Sequence, residues 1–193
     1  MNFLWYAARG AGVVSLILLS AVFVLGIVTS VRWSSASLPR FVTAQLHRNL
    51  ALLSLVFLGV HIVTAVVDPY TSLGWLTVII PFSSDYRQLW LGLGVVSIDL
   101  GLAVVVTSLL RDRVGYRVWR TVHWLAYGAW PLAVLHGFGT GTDAFAPWLL
   151  VIQGLCVAAV IGAVWWRMSV GRAGQGVSAT STLAAQRQSA DAR

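Results

Sequence analysis

Long apolar runs separated by short charged connections dominate this chain of 193 residues. Five of these runs are about 19–23 residues long, enough to cross about 30 Å of hydrocarbon as a helix. They cover residues 10–31, 49–67, 88–110, 121–142 and 144–166, and only Asp99 interrupts one of them with a charge. None alternates polar and apolar residues at period two, so membrane strands are not favoured. The pattern predicts an all-α fold, a polytopic membrane helical bundle of about five transmembrane helices.

Two further segments differ from these runs. Residues 73–81 are apolar but too short to cross a membrane, and they contain Gly74 and end at Pro81. This segment predicts a short interfacial helix. After residue 170 the chain is mostly Gly, Ser, Ala, Thr, Gln and Arg, with little to bury. We therefore expect a membrane domain over residues 1–170 and a disordered cytoplasmic tail over residues 171–193.

The composition supports a membrane protein and excludes a soluble globule. Hydrophobic residues make up 58% of the chain and charged residues only 10%, against about 25% charged in soluble domains. A net charge of +7 would suggest a nucleic-acid partner in a soluble protein. Here the basic residues are all arginines in loops, which is typical of cytoplasmic connections. The expected surroundings are therefore membrane lipid, with no nucleic acid.

Arginine placement predicts the orientation of the helices. Arginines lie mainly in the first connection, the third connection and the C-terminal tail, at Arg32, Arg40, Arg48, Arg111, Arg113, Arg117, Arg120, Arg167 and Arg172. The second connection has only Arg87, and the fourth has none. By the positive-inside rule, the odd connections and the C-terminus are cytoplasmic and the N-terminus is outside. The expected location is the cell (inner or plasma) membrane.

The only four histidines of the chain form two pairs. His47 and His61 belong to the second predicted span, and His123 and His136 to the fourth. On each helix the two rings are about 20 Å apart along the axis. Because one span separates the two helices, they run parallel. His47 is therefore level with His123 near the cytoplasmic side, and His61 is level with His136 near the outer side.

This arrangement suits two haem b groups, each with two axial imidazoles. Neutral imidazole is an axial ligand of haem iron, and its Nδ1–H would donate to a helix carbonyl and leave Nε2 for the metal. The inner haem would bind His47 and His123, and the outer haem His61 and His136. Arg48 and Arg120, next to the inner ligands, would neutralise its propionates.

The angle between the two histidines around the helix axis suits ligands on a shared face in the second span better than in the fourth. Fourteen residues bring His47 and His61 to within about 40° of each other on an ideal helix. Thirteen residues leave His123 and His136 about 140° apart on the same geometry. Pro131 lies between them, so a kink or a tightened turn there is expected to correct the angle.

Several residues keep two interpretations. A histidine inside a membrane can simply pack or hydrogen-bond, so a cofactor-free scaffold or a small transporter with a histidine-lined path is the alternative function. Asp99 is mid-span and needs a partner or a proton, as a proton relay or as a protonated group bonded to a hydroxyl. Trp130 is either an electron-tunnelling bridge or a packing residue. Cys156, the only cysteine, is expected to be a small core residue.

The His-x13-His and His-x12-His spacings resemble the ferric reductase-like transmembrane domain. Residues 107–115, followed by Trp119 and the run from Arg120 to His123, look like the connection between the third and fourth helices of that family, and the resemblance covers about residues 40–167. The family includes ferric reductases, NADPH oxidases and the haem-binding membrane subunit of a bacterial methionine sulfoxide reductase.

The resemblance implies transmembrane electron transfer through two haems b, by a component of an oxidoreductase. The donor is expected to be a separate flavoprotein or membrane quinol, since no glycine-rich nucleotide-binding motif is present. The expected acceptor is extracytoplasmic: a ferric chelate, dioxygen or a redox partner protein. No side-chain constellation for a hydrolase or a transferase is found, so no catalytic residue is named.

Overall fold

The computed structural model shows a bundle of α-helices. It describes residues 3–31, 39–69, 71, 73–141 and 143–191, with side chains up to residue 170. In this part of the chain there is no β-strand, which confirms the all-α prediction. The helices are α1 (Phe3–Ser30), α2 (Arg40–Val67), α3 (Gln88–Leu109), α4 (Arg111–Val114), α5 (Tyr116–His123), α6 (Ala126–Thr140) and α7 (Pro147–Asp191).

Four helical stretches are long and apolar enough to cross a membrane. They are Phe3–Ser30, Arg40–Val67, Gln88–Leu109 and Pro147–Val170, with mean hydropathy between 2.2 and 2.7. The chain is therefore a multi-pass membrane protein. The first two helices begin before the predicted spans, at Phe3 instead of residue 10 and at Arg40 instead of residue 49. A charge-free interval marks only the part in hydrocarbon, because arginine side chains near helix ends extend towards water.

The fourth predicted span is not one helix, and this corrects the sequence-based assignment. Residues 121–142 were expected to form a single span, but they are divided between α5 and α6 by a turn at Trp124 and Leu125. Neither helix reaches the length of the four spans above. A complete crossing of the membrane by this segment therefore requires α5, the turn and α6 together.

The turn is tightened by backbone hydrogen bonds of the i to i+3 type. The N–H groups of Trp124, Leu125, Tyr127 and Gly128 donate to the carbonyls of residues three positions earlier, at 2.9–3.2 Å. Such a stretch advances about 120° per residue instead of about 100°, so four residues add about 80°. The ideal separation of about 140° between His123 and His136 falls to about 60°. The tightened turn lies here and not at Pro131, through which α6 continues.

Helix packing leaves one side of α2 open. Close backbone contact of α2 is almost entirely with α1, while α3 packs along α6 and α1 also packs along α7. The core cluster of Leu16, Val134 and Cys156 joins α1, α6 and α7, as expected for a small buried cysteine. Contacts of α1 and α7 therefore hold the α1–α2 pair and the α3–α6 pair together. Helices α2 and α6 face each other with little backbone contact between them.

The predictions for residues 73–81 and for the C-terminal tail compare differently with the structure. Residues 73–81 contain a 3-10 helix, Trp75–Val78, whose Trp75 and Leu76 side chains are exposed, in agreement with a short surface helix. α7 extends to Asp191. Because no side chain beyond residue 170 is described, the predicted boundary there and the disorder of residues 171–193 stay predictions.

Candidate functional site

The structure brings the four histidines together in two facing pairs. The ring centroids of His47 and His123 are 6.4 Å apart, and those of His61 and His136 are 6.2 Å apart. We call His47 and His123 the inner pair and His61 and His136 the outer pair, after the predicted orientation. Each pair joins α2 to the α5–α6 segment, so the histidines meet at equal levels of the two helices, as the parallel arrangement requires.

Three of the four rings are fixed by hydrogen bonds from Nδ1 to a backbone carbonyl of a neighbouring helix. His47 donates to Val22 at 2.9 Å and His61 to Ala8 at 2.7 Å, both on α1. His136 donates to Trp90 of α3 at 3.0 Å. A ring nitrogen that bonds a carbonyl must carry the proton, so Nε2 of these three rings keeps its lone pair. The rings are thus held in the tautomer that presents Nε2 to a metal.

A glycine follows each acceptor carbonyl by four residues. Gly12 follows Ala8, Gly26 follows Val22, and Gly94 follows Trp90. A Cβ atom on Gly12 would lie 2.8 Å from Nδ1 of His61, and one on Gly26 would lie 3.3 Å from Cε1 of His47. At Gly94 a Cβ atom would overlap the His136 ring. In a helix the residue at i+4 covers the carbonyl of residue i, so glycine lets the imidazole reach that oxygen.

His123 is the exception among the four. Its Nδ1 is buried and has no hydrogen-bond partner in the described part of the chain. The ring instead stacks on Trp119, with centroids 5.1 Å apart and the planes tilted by 34°. The expectation that every ring donates to a carbonyl is therefore wrong for His123.

The ring spacing in both pairs matches what a single metal between two imidazoles requires. With metal–nitrogen bonds of about 2.0 Å and about 1.1 Å from each nitrogen to its ring centre, the centroids should be about 6.2 Å apart. The observed spacings of 6.4 and 6.2 Å are close to that value. The donor set, two neutral imidazoles on opposite sides, is the axial set of a haem b. These residues therefore fit that group.

Arg48 and Arg120 lie beside the inner pair in sequence and are exposed. Neither forms a hydrogen bond or ion pair through its guanidinium within the described residues. Both cations are consequently free to meet an anionic group at the inner level, such as a propionate. Their role as cofactor-binding residues stays a prediction.

Two arginines lie at the outer level, where the sequence pointed only to Arg87. Arg87 donates to the carbonyl of Gly139 at the end of α6. Arg9 forms an ion pair with Asp143, and its charge is close enough to interact with both His61 and His136. The Nε of Arg9 is buried and has no hydrogen-bond partner among the residues that the structure describes. Sequence reasoning used Arg9 only to mark the start of a span and missed its place beside the outer pair.

The sequence also singled out Trp130 and Asp99, and neither has a described contact with a histidine ring. Trp130 donates from Nε1 to Ser20 at 2.9 Å and packs against the core cluster. This position agrees with a packing role, and the tunnelling role stays a prediction. Asp99 is exposed on α3 and has no partner in the described residues, so neither of its two expected roles is supported by a contact.

The model of the family described as "ferric reductase like transmembrane component" matches residues 11–134, more than half of the chain. The chain belongs to this ferric reductase-like family. The match includes His47, His61 and His123 and ends just before His136. It also includes α1 from Ala11 onward, which the sequence resemblance left out. This part of α1 contains Gly12, Val22 and Gly26, whereas Ala8 precedes the match. The family makes the chain a membrane redox component.

No curated protein and no solved structure matches the chain. The site residues that the sequence alone did not identify are Gly12, Gly26, Gly94 and Arg9. A signal was present for two of them, because Gly12 and Gly26 are spaced by 14 residues, the same spacing as His47 and His61 on the antiparallel helix.

Proposed function

We propose that this ferric reductase-like protein is a di-haem b membrane cytochrome. It carries electrons from a cytoplasmic or quinol donor, through the inner pair and then the outer pair, to an extracytoplasmic acceptor. The bound haems would supply the one-electron chemistry, and the chain sets their positions, ligation and surroundings. Ferric chelates, dioxygen and a redox partner protein are the acceptor classes that such a carrier would serve.

The observation that carries this proposal is the equal spacing of the two pairs. Two independent pairs of imidazoles both sit at about the distance required for axial ligands of one metal, 6.4 and 6.2 Å. Packing alone gives no reason for both spacings to agree. Three of these rings are also held with Nε2 available.

The number of protein ligands favours a haem over a free metal ion. Within the part of the chain that the structure describes, no group of three or more His, Cys, Asp or Glu residues is placed to hold a metal. A tetrahedral zinc site takes three or four protein ligands. A haem iron needs only two from the protein, because the porphyrin supplies the other four. Two imidazoles per level therefore suit haem.

The spacing between the levels suits a path across the bilayer. The inner and outer ligands are separated by 14 residues on α2, which is about 21 Å along a helix. That distance covers most of the hydrocarbon thickness of about 30 Å. Two centres at these depths divide the crossing into short steps, and Arg48 and Arg120 place positive charge at the inner end.

Electron transfer across a vesicle membrane tests this function. The purified protein is reconstituted into liposomes that enclose a membrane-impermeant oxidant such as ferricyanide, and an impermeant reductant is added outside. We expect the enclosed oxidant to be reduced much faster than in protein-free liposomes. A reduced-minus-oxidised spectrum of the same sample should show b-type bands.

Variants of the ligands provide the matched comparison. His61→Ala and His47→Ala should each lose one haem and stop transfer, whereas Gly101→Ala, at a position with open space around it, should keep both. Haem-loaded protein that transfers no electrons would overturn the function, although not the cofactor. Folded protein without b-type bands would favour the scaffold or transporter alternative.

A further inference from the structure

The inner pair lacks the support that the outer pair has, and the reason lies on α3. α3 and α6 run antiparallel, and His136 bonds the carbonyl of Trp90. Thirteen residues before His136 comes His123. On the unbroken helix α3, Val104 lies fourteen residues after Trp90 and within about 40° of its face, whereas Ala103 lies about 140° away. The Val104 carbonyl is therefore the counterpart, at the inner level, of the Trp90 carbonyl at the outer level.

This carbonyl already accepts hydrogen bonds from side chains of α3 itself. The Ser108 hydroxyl donates to Val104 at 2.6 Å, and the Thr107 hydroxyl donates to it at 3.2 Å. Ser108 stands four residues after Val104, the position that Gly94 occupies after Trp90. Where the outer site has glycine and an accessible carbonyl, the inner site has a hydroxyl side chain covering the carbonyl.

The His123 ring is held by stacking instead. Trp119 lies against the ring, donates from Nε1 to Ser108 at 3.2 Å, and carries the Arg111 guanidinium 4.4 Å above its own ring. Stacking restrains the plane of an imidazole but fixes no hydrogen-bond direction. His123 also ends α5, an eight-residue helix with no buried residue between Gly115 and the turn at Trp124.

We propose that His123 is the exchangeable ligand of the protein, and that the inner site binds a small neutral π-acceptor ligand such as carbon monoxide in its place. This inference rests on the proposed function. Nε2 of His123 would release the reduced iron of a bound inner haem, and the carbon of the ligand would take its place, with no electron or proton transferred. The outer site keeps both imidazoles, because His61 and His136 are each anchored by Nδ1.

Carbon monoxide difference spectra of the purified, dithionite-reduced full-length protein test this inference. Haem content is measured first, so that loss of the proposed function is seen separately as absence of haem. We expect carbon monoxide to bind one of the two haems. Binding to neither haem, or to both equally, in a two-haem protein would overturn the inference while leaving the proposed function intact.

Position 108 tests which site is responsible. Ser108→Gly should uncover the Val104 carbonyl for Nδ1 of His123 and lower the affinity for carbon monoxide about fivefold, the effect of one ordinary hydrogen bond. Ser108→Ala also removes the hydroxyl that accepts from Trp119 but keeps a Cβ atom over the carbonyl, so its affinity should not fall. Equal affinities of the two variants would contradict the inference.

Position 119 gives a second measurement that does not depend on a glycine in α3. Trp119→Leu removes the ring that stacks on His123 and should raise the affinity for carbon monoxide, whereas Trp119→Phe keeps an aromatic ring and should change it less. A Trp119→Leu variant with two haems and unchanged affinity would also count against an exchangeable His123.

Discussion

The outer and inner histidine pairs are nearly the same in spacing but differ in how they are supported. At the outer level both rings donate from Nδ1 to helix carbonyls, and Arg9 is close to both of them. At the inner level only His47 has such a bond, and the nearby Arg48 and Arg120 form no ion pair with another described residue. The comparison teaches that ligand spacing and ligand anchoring are separate properties. The first depends on the two ligand helices, and the second on the helices behind them.

The strongest way to break the comparison is to remove the outer anchor at α3. Gly94→Ala places a methyl group where the His136 ring lies, so the ring must move or α3 and α6 must separate, at a cost of about 1–3 kcal/mol. We expect haem content to fall from two per chain to about one, with the inner haem retained. A haemochrome assay on purified protein measures this.

The control for Gly94 lies on the same helix. Gly101→Ala meets nothing within 4 Å, and alanine is a better helix former than glycine by about 1 kcal/mol. It should keep both haems and full stability. If Gly94→Ala also kept two haems with unchanged spectra, the anchoring role of the Trp90 carbonyl would be wrong.

The α1 side offers a graded version of the same test. A methyl group at Gly12 would be 2.8 Å from His61, whereas one at Gly26 would be 3.3 Å from His47. Gly12→Ala should therefore produce a high-spin fraction at the outer haem in electron paramagnetic resonance spectra, and Gly26→Ala a smaller one at the inner haem. Gly10→Ala, in open space, is the matched control. The reverse order of the two effects would contradict the geometry.

The exposed inner arginines, Arg48 and Arg120, sharpen the comparison through redox potential. Replacing Arg48 or Arg120 with Gln removes a cation that destabilises the oxidised haem, so the inner midpoint potential should fall. An interaction of about 0.5–1 kcal/mol corresponds to about 20–50 mV for one electron. Redox titration of the absorbance bands measures it. Arg117→Gln, exposed in the same connection, should shift the potential less, and an equal shift would show that position near the haem is unimportant.

The smallest expected effect concerns the second contact of His136. The Thr140 hydroxyl is 3.1 Å from Nδ1 of that ring. Thr140→Val removes it and makes the imidazole a slightly weaker donor to iron, so the outer midpoint potential should rise by about 10–20 mV, consistent with a weak hydrogen bond. Thr64→Val is the matched control, because the Thr64 hydroxyl bonds only backbone carbonyls. A fall in potential would contradict this assignment.

Much of the fold was predictable because a membrane helix can be recognised from its own run of apolar residues. Apolar length gave the helices of the bundle, and helix direction gave the matched levels of His47 with His123 and His61 with His136. Residues 121–142 were expected to form one span with a kink or a tightened turn at Pro131, since proline is the recognisable helix breaker. The turn lies instead at Trp124 and Leu125, where nothing in the residue types marks a tightened turn.

The anchors of the site could not be read from one sequence. The carbonyls of Ala8, Val22 and Trp90 belong to helices that carry no ligand, and any residue has a carbonyl. Only the packing register selects which of them faces a histidine. The glycines that follow became meaningful once that register was known. Arg9 was hidden for the same reason, because its closeness to the outer pair arises from how α1 packs beside α2 and α6.

The ratio of haem to polypeptide in the purified protein tests the central claim most directly. A pyridine haemochrome assay, combined with quantitative amino-acid analysis of the same sample, should give two b-type haems per chain. A ratio near one would contradict the two-centre path, and a ratio near zero in folded protein would contradict haem binding by these histidines altogether.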